Sequence, residues 1–207
     1  MATAVRFDTA SENLDLARVV RSALILGAVQ AVCVLVVSIV NRSLEGVADA
    51  ALTGAVVAIG AVATIFLPAR WLRVRTIDGI GAAAGIGLGA AFTFMLIDVT
   101  ALQPFGVYTN RWREVGGGSN WWYHPIWWML GAYLAWMGAW IVANRAERSP
   151  SLAGAASMIA GFVAVIGSLA TIVHFPGADW NVPTFAVAML PALALTTLVS
   201  GIAARRG

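Results

Sequence analysis

The sequence predicts an all-α protein: a polytopic transmembrane helical bundle of six spans, with both termini cytoplasmic and one long outer loop between spans 3 and 4. Three observations carry this. Hydrophobic residues make up 60% of the 207 residues and charged residues only 11%, against about 25% charged in soluble domains. The apolar residues fall in several runs close to the ~20 residues that a bilayer requires. The thirteen basic residues are all arginine, and ten of them gather on one side.

In order, residues 1–15 are polar, with Arg6, Asp8, Glu12 and Asp15, and read as a cytoplasmic tail. Residues 16–207 then form a single six-helix domain. The first span is Ser22–Val40, flanked by Arg18 and Arg21, with Gln30 as one of its few polar breaks. The run is long enough to span and lacks a small-residue cleavage site, so it reads as a retained helix rather than a signal peptide. Asn41–Asp49 is a turn, and Ala50–Leu67 the second span, ending at Pro68 and a basic link with Arg70, Arg73 and Arg75. Asp78 is the expected cap of the third span, Gly79 to about Val99, because a carboxylate can accept the free amides of a first helical turn.

The long loop follows, within a stretch from Gln103 to Trp128 that holds five of the nine tryptophans. Pro125 suits the first turn of the fourth span, which runs to about Ala143. Ser149 and Pro150 open the fifth, Ser151–Val173, and the link His174–Pro183 leads to the sixth, Thr184–Ala204. Pro191 lies inside the sixth span, where it removes a backbone donor, disturbs the Val187 carbonyl and predicts a kink.

Arginine placement predicts orientation. With the N-terminus inside, the inner segments hold ten arginines and the outer ones only Arg42, Arg111 and Arg113, a positive-inside pattern. The absence of lysine suggests a GC-rich bacterial genome, and the expected location is the bacterial cytoplasmic membrane. Net charge is +3 with no basic run on a soluble surface, so a nucleic-acid partner is not expected.

Small residues recur every fourth position in three spans: Gly81, Gly85 and Gly89, with Ala83, Gly87 and Ala91 one face over; Gly131, Ala135 and Ala139; and Ala156, Ala160 and Ala164. Such rows let helix backbones approach closely in lipid. Packing within the bundle is the expected use.

Chemistry is sparse. Cys33 is the single cysteine, which excludes an intrachain disulfide and CxxC motifs. No ionisable residue falls near the middle of any span, whereas proton relays and ion-coupled carriers place such groups there. GIGAAAGIG, at residues 79–87, has the look of a phosphate loop, but it lies inside an apolar span and follows no strand. Ionisable residues collect at the outer face instead. Asp98, His124, His174 and Asp179 sit at or beside span ends and are candidate metal ligands, since imidazole and carboxylate suit zinc, copper or iron. Capping and pairing with loop arginines is the plainer reading. Two histidines can serve at most one bis-histidine haem, and the residues assign no cofactor.

Most tryptophans fall at the membrane interfaces, where aromatic belts are expected. Tyr133, Trp136 and Trp140 form a deeper stripe on the fourth span. Arg111, Trp112, Arg113, Glu114, Trp121 and Trp122 form the candidate partner-binding surface, because Trp and Arg are enriched at the energetic centres of interfaces. The expected function is therefore a non-catalytic transmembrane accessory subunit. It would dock in a larger membrane complex, such as an electron-transfer or light-harvesting assembly, with lipid and other membrane subunits as partners. A small-solute channel or permease is the second reading, and a membrane enzyme with an outer metal site the third.

Overall fold

The structure, a computed structural model, describes residues 15–108, 123–145, 152–180 and 182–205, with backbone alone at 123–126, 145, 152, 182–183 and 205. Six long helices account for nearly all of this, and no strand occurs among the described residues. They are α1 (Leu16–Ser43), α2 (Gly46–Leu72), α3 (Ile77–Ile97), α4 (Tyr123–Arg145), α5 (Leu152–Ile172) and α6 (Val182–Arg205); a π-helical turn, Asp98–Leu102, continues α3. Five of these, α3 together with its π turn among them, are long and apolar enough to cross a membrane, which fits a multi-pass membrane protein. The helix outside that set is α4. Four tryptophans and Tyr133 among its described side chains depress its mean hydropathy, although such rings are at home near membrane interfaces.

Local chemistry sets the helix ends, and several differ from the sequence expectation. Asp15 caps α1 by accepting from the Ala17 N–H at 3.0 Å, so the helix starts before Arg18. The turn expected over Asn41–Asp49 shrinks to Leu44–Glu45, and α2 starts at Gly46 with φ +65°, a conformation that glycine adopts without a Cβ penalty. The cap of α3 is Thr76, whose hydroxyl accepts from the Gly79 N–H at 3.2 Å. Asp78 sits instead in the first turn, where a negative charge complements the helix dipole.

Helix α2 continues past Pro68 to Leu72 and then closes on Arg73 in the left-handed region, φ 50°. The Val74 N–H returns to the Ala69 carbonyl at 3.1 Å and that of Arg73 to Arg70 at 3.3 Å. This satisfies carbonyls that a helix end otherwise leaves open. α5 ends the same way on His174, φ 55°, with Phe175 bonded back to Ala170 at 2.9 Å.

Helix α4 lies at the centre. It packs on α3, α2 and α6, while α3 packs on α1 and α5 packs on α6. Two cores share it. One gathers Ile65 and Phe66 of α2, Leu134 and Ile141 of α4, Ile159 and Val163 of α5, and Met189 and Leu193 of α6. The other gathers Ala23 and Leu26 of α1, Leu72 and Val74, Ile80 and Ile86 of α3, and Ala139 of α4.

Contact between backbones is closest at glycines. A Cβ on Gly87 would lie 2.2 Å from the Gly131 carbonyl oxygen, and one on Gly131 would lie 2.7 Å from that of Gly87. On Gly138 it would lie 1.9 Å from the Ile65 carbonyl oxygen, and on Gly27 it would lie 2.5 Å from Thr93 Cβ. The Ala83–Gly87–Ala91 row and the Gly131–Ala135–Ala139 row are thus the seam between α3 and α4. Gly81 and Gly85 have no such neighbour and are exposed, so the expectation that their row packs within the chain holds only for Gly89, which faces Ala23.

On α5 the expectation is overturned more completely. Ala160 and Ala164 are exposed, as are Ser157, Gly161 and Ser168, while the opposite face carries the buried Ala155, Ile159, Val163 and Ala170.

Candidate functional site

The polar groups of the described structure concentrate where α1, α3 and the start of the long loop meet. The π turn opens with Asp98, and its extra residue per turn is closed by the Gln103 N–H donating to the Asp98 carbonyl at 2.9 Å. π turns inside α-helices occur frequently at functional sites. Both carboxylate oxygens of Asp98 are engaged: Gln103 Nε2 donates to one at 2.6 Å, and the Tyr108 hydroxyl donates to the other. The segment between them is held from the side by α1. Ser38 donates its hydroxyl to the Val107 carbonyl, and Arg42 donates to the carbonyls of Gly106 and Val107, the latter at 3.2 Å.

Ser38 and Arg42 lie one turn apart, so both reach the same strip of backbone. Gly106 supplies the positive φ, 63°, that turns this strip. Sequence reasoning treated Arg42 only as one of three outer arginines. The signal that could have found the clamp is a serine and an arginine four apart at the end of a span.

The far end of the loop is anchored by aromatics. Trp128 stacks on Phe92 at 4.7 Å between centroids, with planes 12° apart, and its indole N–H points at the Met95 sulfur at 2.8 Å. Trp127 meets Phe94 at 6.3 Å. Offset and tilted ring pairs of this kind stabilise beyond simple contact. Both ends of the loop are therefore tied to α3, one through Asp98 and one through Trp127 and Trp128.

The candidate docking residues Arg111, Trp112, Arg113, Glu114, Trp121 and Trp122 lie outside the described residues, as does the side chain of His124. Of the other candidate ligands, Asp98 is spent on the clasp. His174 and Asp179 are exposed on the link between α5 and α6, and the Asp179 backbone carbonyl accepts from Thr184 at 2.8 Å. Among the described residues no three His, Cys, Asp or Glu side chains gather.

The deeper aromatic stripe divides. Tyr133 donates its hydroxyl to the Leu190 carbonyl at 2.8 Å, next to Pro191. Trp140 packs on the core shared with α1 and α3, while Trp136 is 45% exposed. Several other polar groups of the helices bond to one another or to their own backbone. Gln30 donates to Thr64 at 3.1 Å, Thr64 to the Gly60 carbonyl, and Thr93, Thr196 and Thr197 to carbonyls one turn back on their own helices. What the site does chemically is hold a loop in place, through charge-assisted and neutral hydrogen bonds to backbone carbonyls. Comparison with protein families, with curated proteins and with solved structures finds no match to this chain.

Proposed function

We propose that the chain is a six-span protein of the bacterial cytoplasmic membrane with both termini inside. On this reading it serves as a non-catalytic accessory subunit that docks in a larger membrane assembly. The central place of α4 supports a sixth span. A helix packed on α2, α3 and α6, and shared by both cores, has to cross with them if they cross.

One observation carries the accessory role: the small-residue face of α5 points out of the bundle. Ser157, Ala160, Gly161, Ala164 and Ser168 share one face, all exposed, and a Cβ on Gly161 would meet nothing within 4 Å among the described residues. In lipid, association of helices depends on close packing rather than on a hydrophobic driving force, so a smooth face of this kind suits a transmembrane helix of another subunit. The Trp- and Arg-bearing loop beyond Tyr108 is the second docking surface on this reading. The clasp at Asp98 and the ring pairs at Trp127 and Trp128 support it, because they tether both loop ends. The channel reading is weaker, since the threonines named above already bond to their own helices.

Shortening residues Gly116–Trp122 tests the role of the loop. The variant is expected to insert into the membrane normally and to co-purify less of its partner in mild detergent. Unchanged recovery of the complex would contradict the proposal.

A further inference from the structure

The antiparallel pair α1 and α2 carries its own depth scale. Thr53 donates to Asn41 at 3.0 Å near one end, and Gln30 donates to Thr64 at 3.1 Å farther along. From the first pair to the second, α1 runs from 41 to 30 and α2 from 53 to 64, eleven residues on each helix, so the register is constant. Between them, a Cβ on Gly60 would lie 3.6 Å from the Cys33 sulfur, within one residue of that register. Nine residues farther, from 30 to 21 and from 64 to 73, that count brings Arg21 level with Arg73, which closes α2 just past Leu72, and Ala23 and Leu72 share a core there.

At 1.5 Å per residue, Asn41/Thr53 and Arg21/Arg73 are about 30 Å apart, the thickness of a bilayer's hydrocarbon core. The Gln30–Thr64 pair then falls near the midplane, and the two arginines fall at headgroup level. Arg18, Arg70 and Arg75 flank them, and all five are exposed. Among the described residues none of the five makes a side-chain hydrogen bond or ion pair. The described acidic groups at this end are Asp15, which caps α1, and Asp78 in the first turn of α3. Trp71, half-buried against the core that also takes Val19, supplies an indole at the same level, as interfacial aromatics do.

We propose that the Arg21/Arg73 end of the α1–α2 hairpin binds the phosphate of an anionic phospholipid, with Arg18, Arg70 and Arg75 alongside. Guanidinium groups bind phosphate in bidentate fashion, and basic pockets between transmembrane helices take anionic headgroups. The proposal rests on α1 and α2 crossing the bilayer. A chain absent from the membrane fraction fails that reading, whereas a membrane-inserted chain without lipid preference fails only this proposal.

The test titrates the purified full chain in dodecylmaltoside with phosphatidylglycerol, phosphatidylcholine or inorganic phosphate, and reads the midpoint of thermal unfolding. Phosphatidylglycerol is expected to raise it by about 2–4 °C more than phosphatidylcholine. Inorganic phosphate should give no shift, and the Arg21→Gln/Arg73→Gln variant should lose at least half of the difference. Equal shifts from the two lipids, an equal shift from inorganic phosphate, or a double variant that keeps the whole difference would each overturn the proposal. If the double variant does not fold, native mass spectrometry in an equimolar mixture of the two lipids decides. Preferential retention of phosphatidylglycerol by the wild type, reduced by Arg21→Gln alone, supports the site; equal retention overturns it.

Discussion

Helices α3 and α5 have similar sequences and opposite uses. Both carry small residues every fourth position, and both are flanked by apolar positions of the same kind. In α3, Gly87 comes so close to Gly131 that a Cβ would meet its carbonyl oxygen, and on the other side a Cβ on Gly89 would lie 2.8 Å from the Ala23 Cβ. In α5 Ala160 and Ala164 of the small row are exposed and Ala156 is half-buried, and the helix attaches to the bundle by the opposite face, with Ile159 and Val163 in the core shared with α2, α4 and α6. A row of small residues therefore states that a helix is shaped for close approach, and not which helix approaches it. The neighbours decide. α3 has helices on two sides, whereas α5 packs principally on α6.

The largest expected effect comes from breaking the closed seams. At Gly138 and Gly87 the obstructing atoms are backbone carbonyls, which cannot swing aside as a side chain does. Gly138→Val and Gly87→Val should each destabilise the bundle by about 3 kcal/mol, read as a loss of folded protein on titration with SDS. Variants as stable as the wild type would show that the seams are not closed as described.

An intermediate effect is expected at the clasp. Arg42→Gln withdraws a charged donor from the carbonyls of Gly106 and Val107, a contact that solvent screens because Arg42 is exposed. It should cost about 1 kcal/mol and speed proteolysis within residues 103–122, leaving the helices protected in hydrogen exchange. Unaltered loop proteolysis would remove the clamp from the account.

The smallest effect belongs to the open face of α3. Gly81→Ala and Gly85→Ala meet nothing among the described residues and improve helix propensity, so each should change stability by less than about 1 kcal/mol, in the favourable direction. Marked destabilisation by either would place an unseen neighbour on that face.

How much of this was legible beforehand follows from range. The six helices were, because a long apolar run and its flanking arginines are local properties. The boundaries were partly so. Asp78 looked like a cap, yet Thr76 has the extended backbone and the hydroxyl at the right distance, and composition alone does not choose between two good capping residues two positions apart. The division of the glycine rows was not legible, because Gly81 and Gly87 differ only in what stands opposite them. The same holds at the site. Asp98 was singled out as a possible metal ligand, but its carboxylate is occupied by Gln103 and Tyr108, partners five and ten residues on. Ser38 and Arg42 were missed, because the carbonyls they hold come from a segment more than sixty residues away.

The outward face of α5 gives the most direct test of the accessory role. Gly161→Leu/Ala164→Leu replaces a smooth face with two bulky side chains at positions exposed in this structure. Affinity-tagged wild type and variant, extracted in mild detergent, would be compared for stoichiometric co-purifying membrane subunits and for thermal stability. The account predicts that the wild type carries such a subunit and that the variant loses it while unfolding at the same temperature. A wild type recovered alone, or a variant that keeps its partner in full, would contradict it.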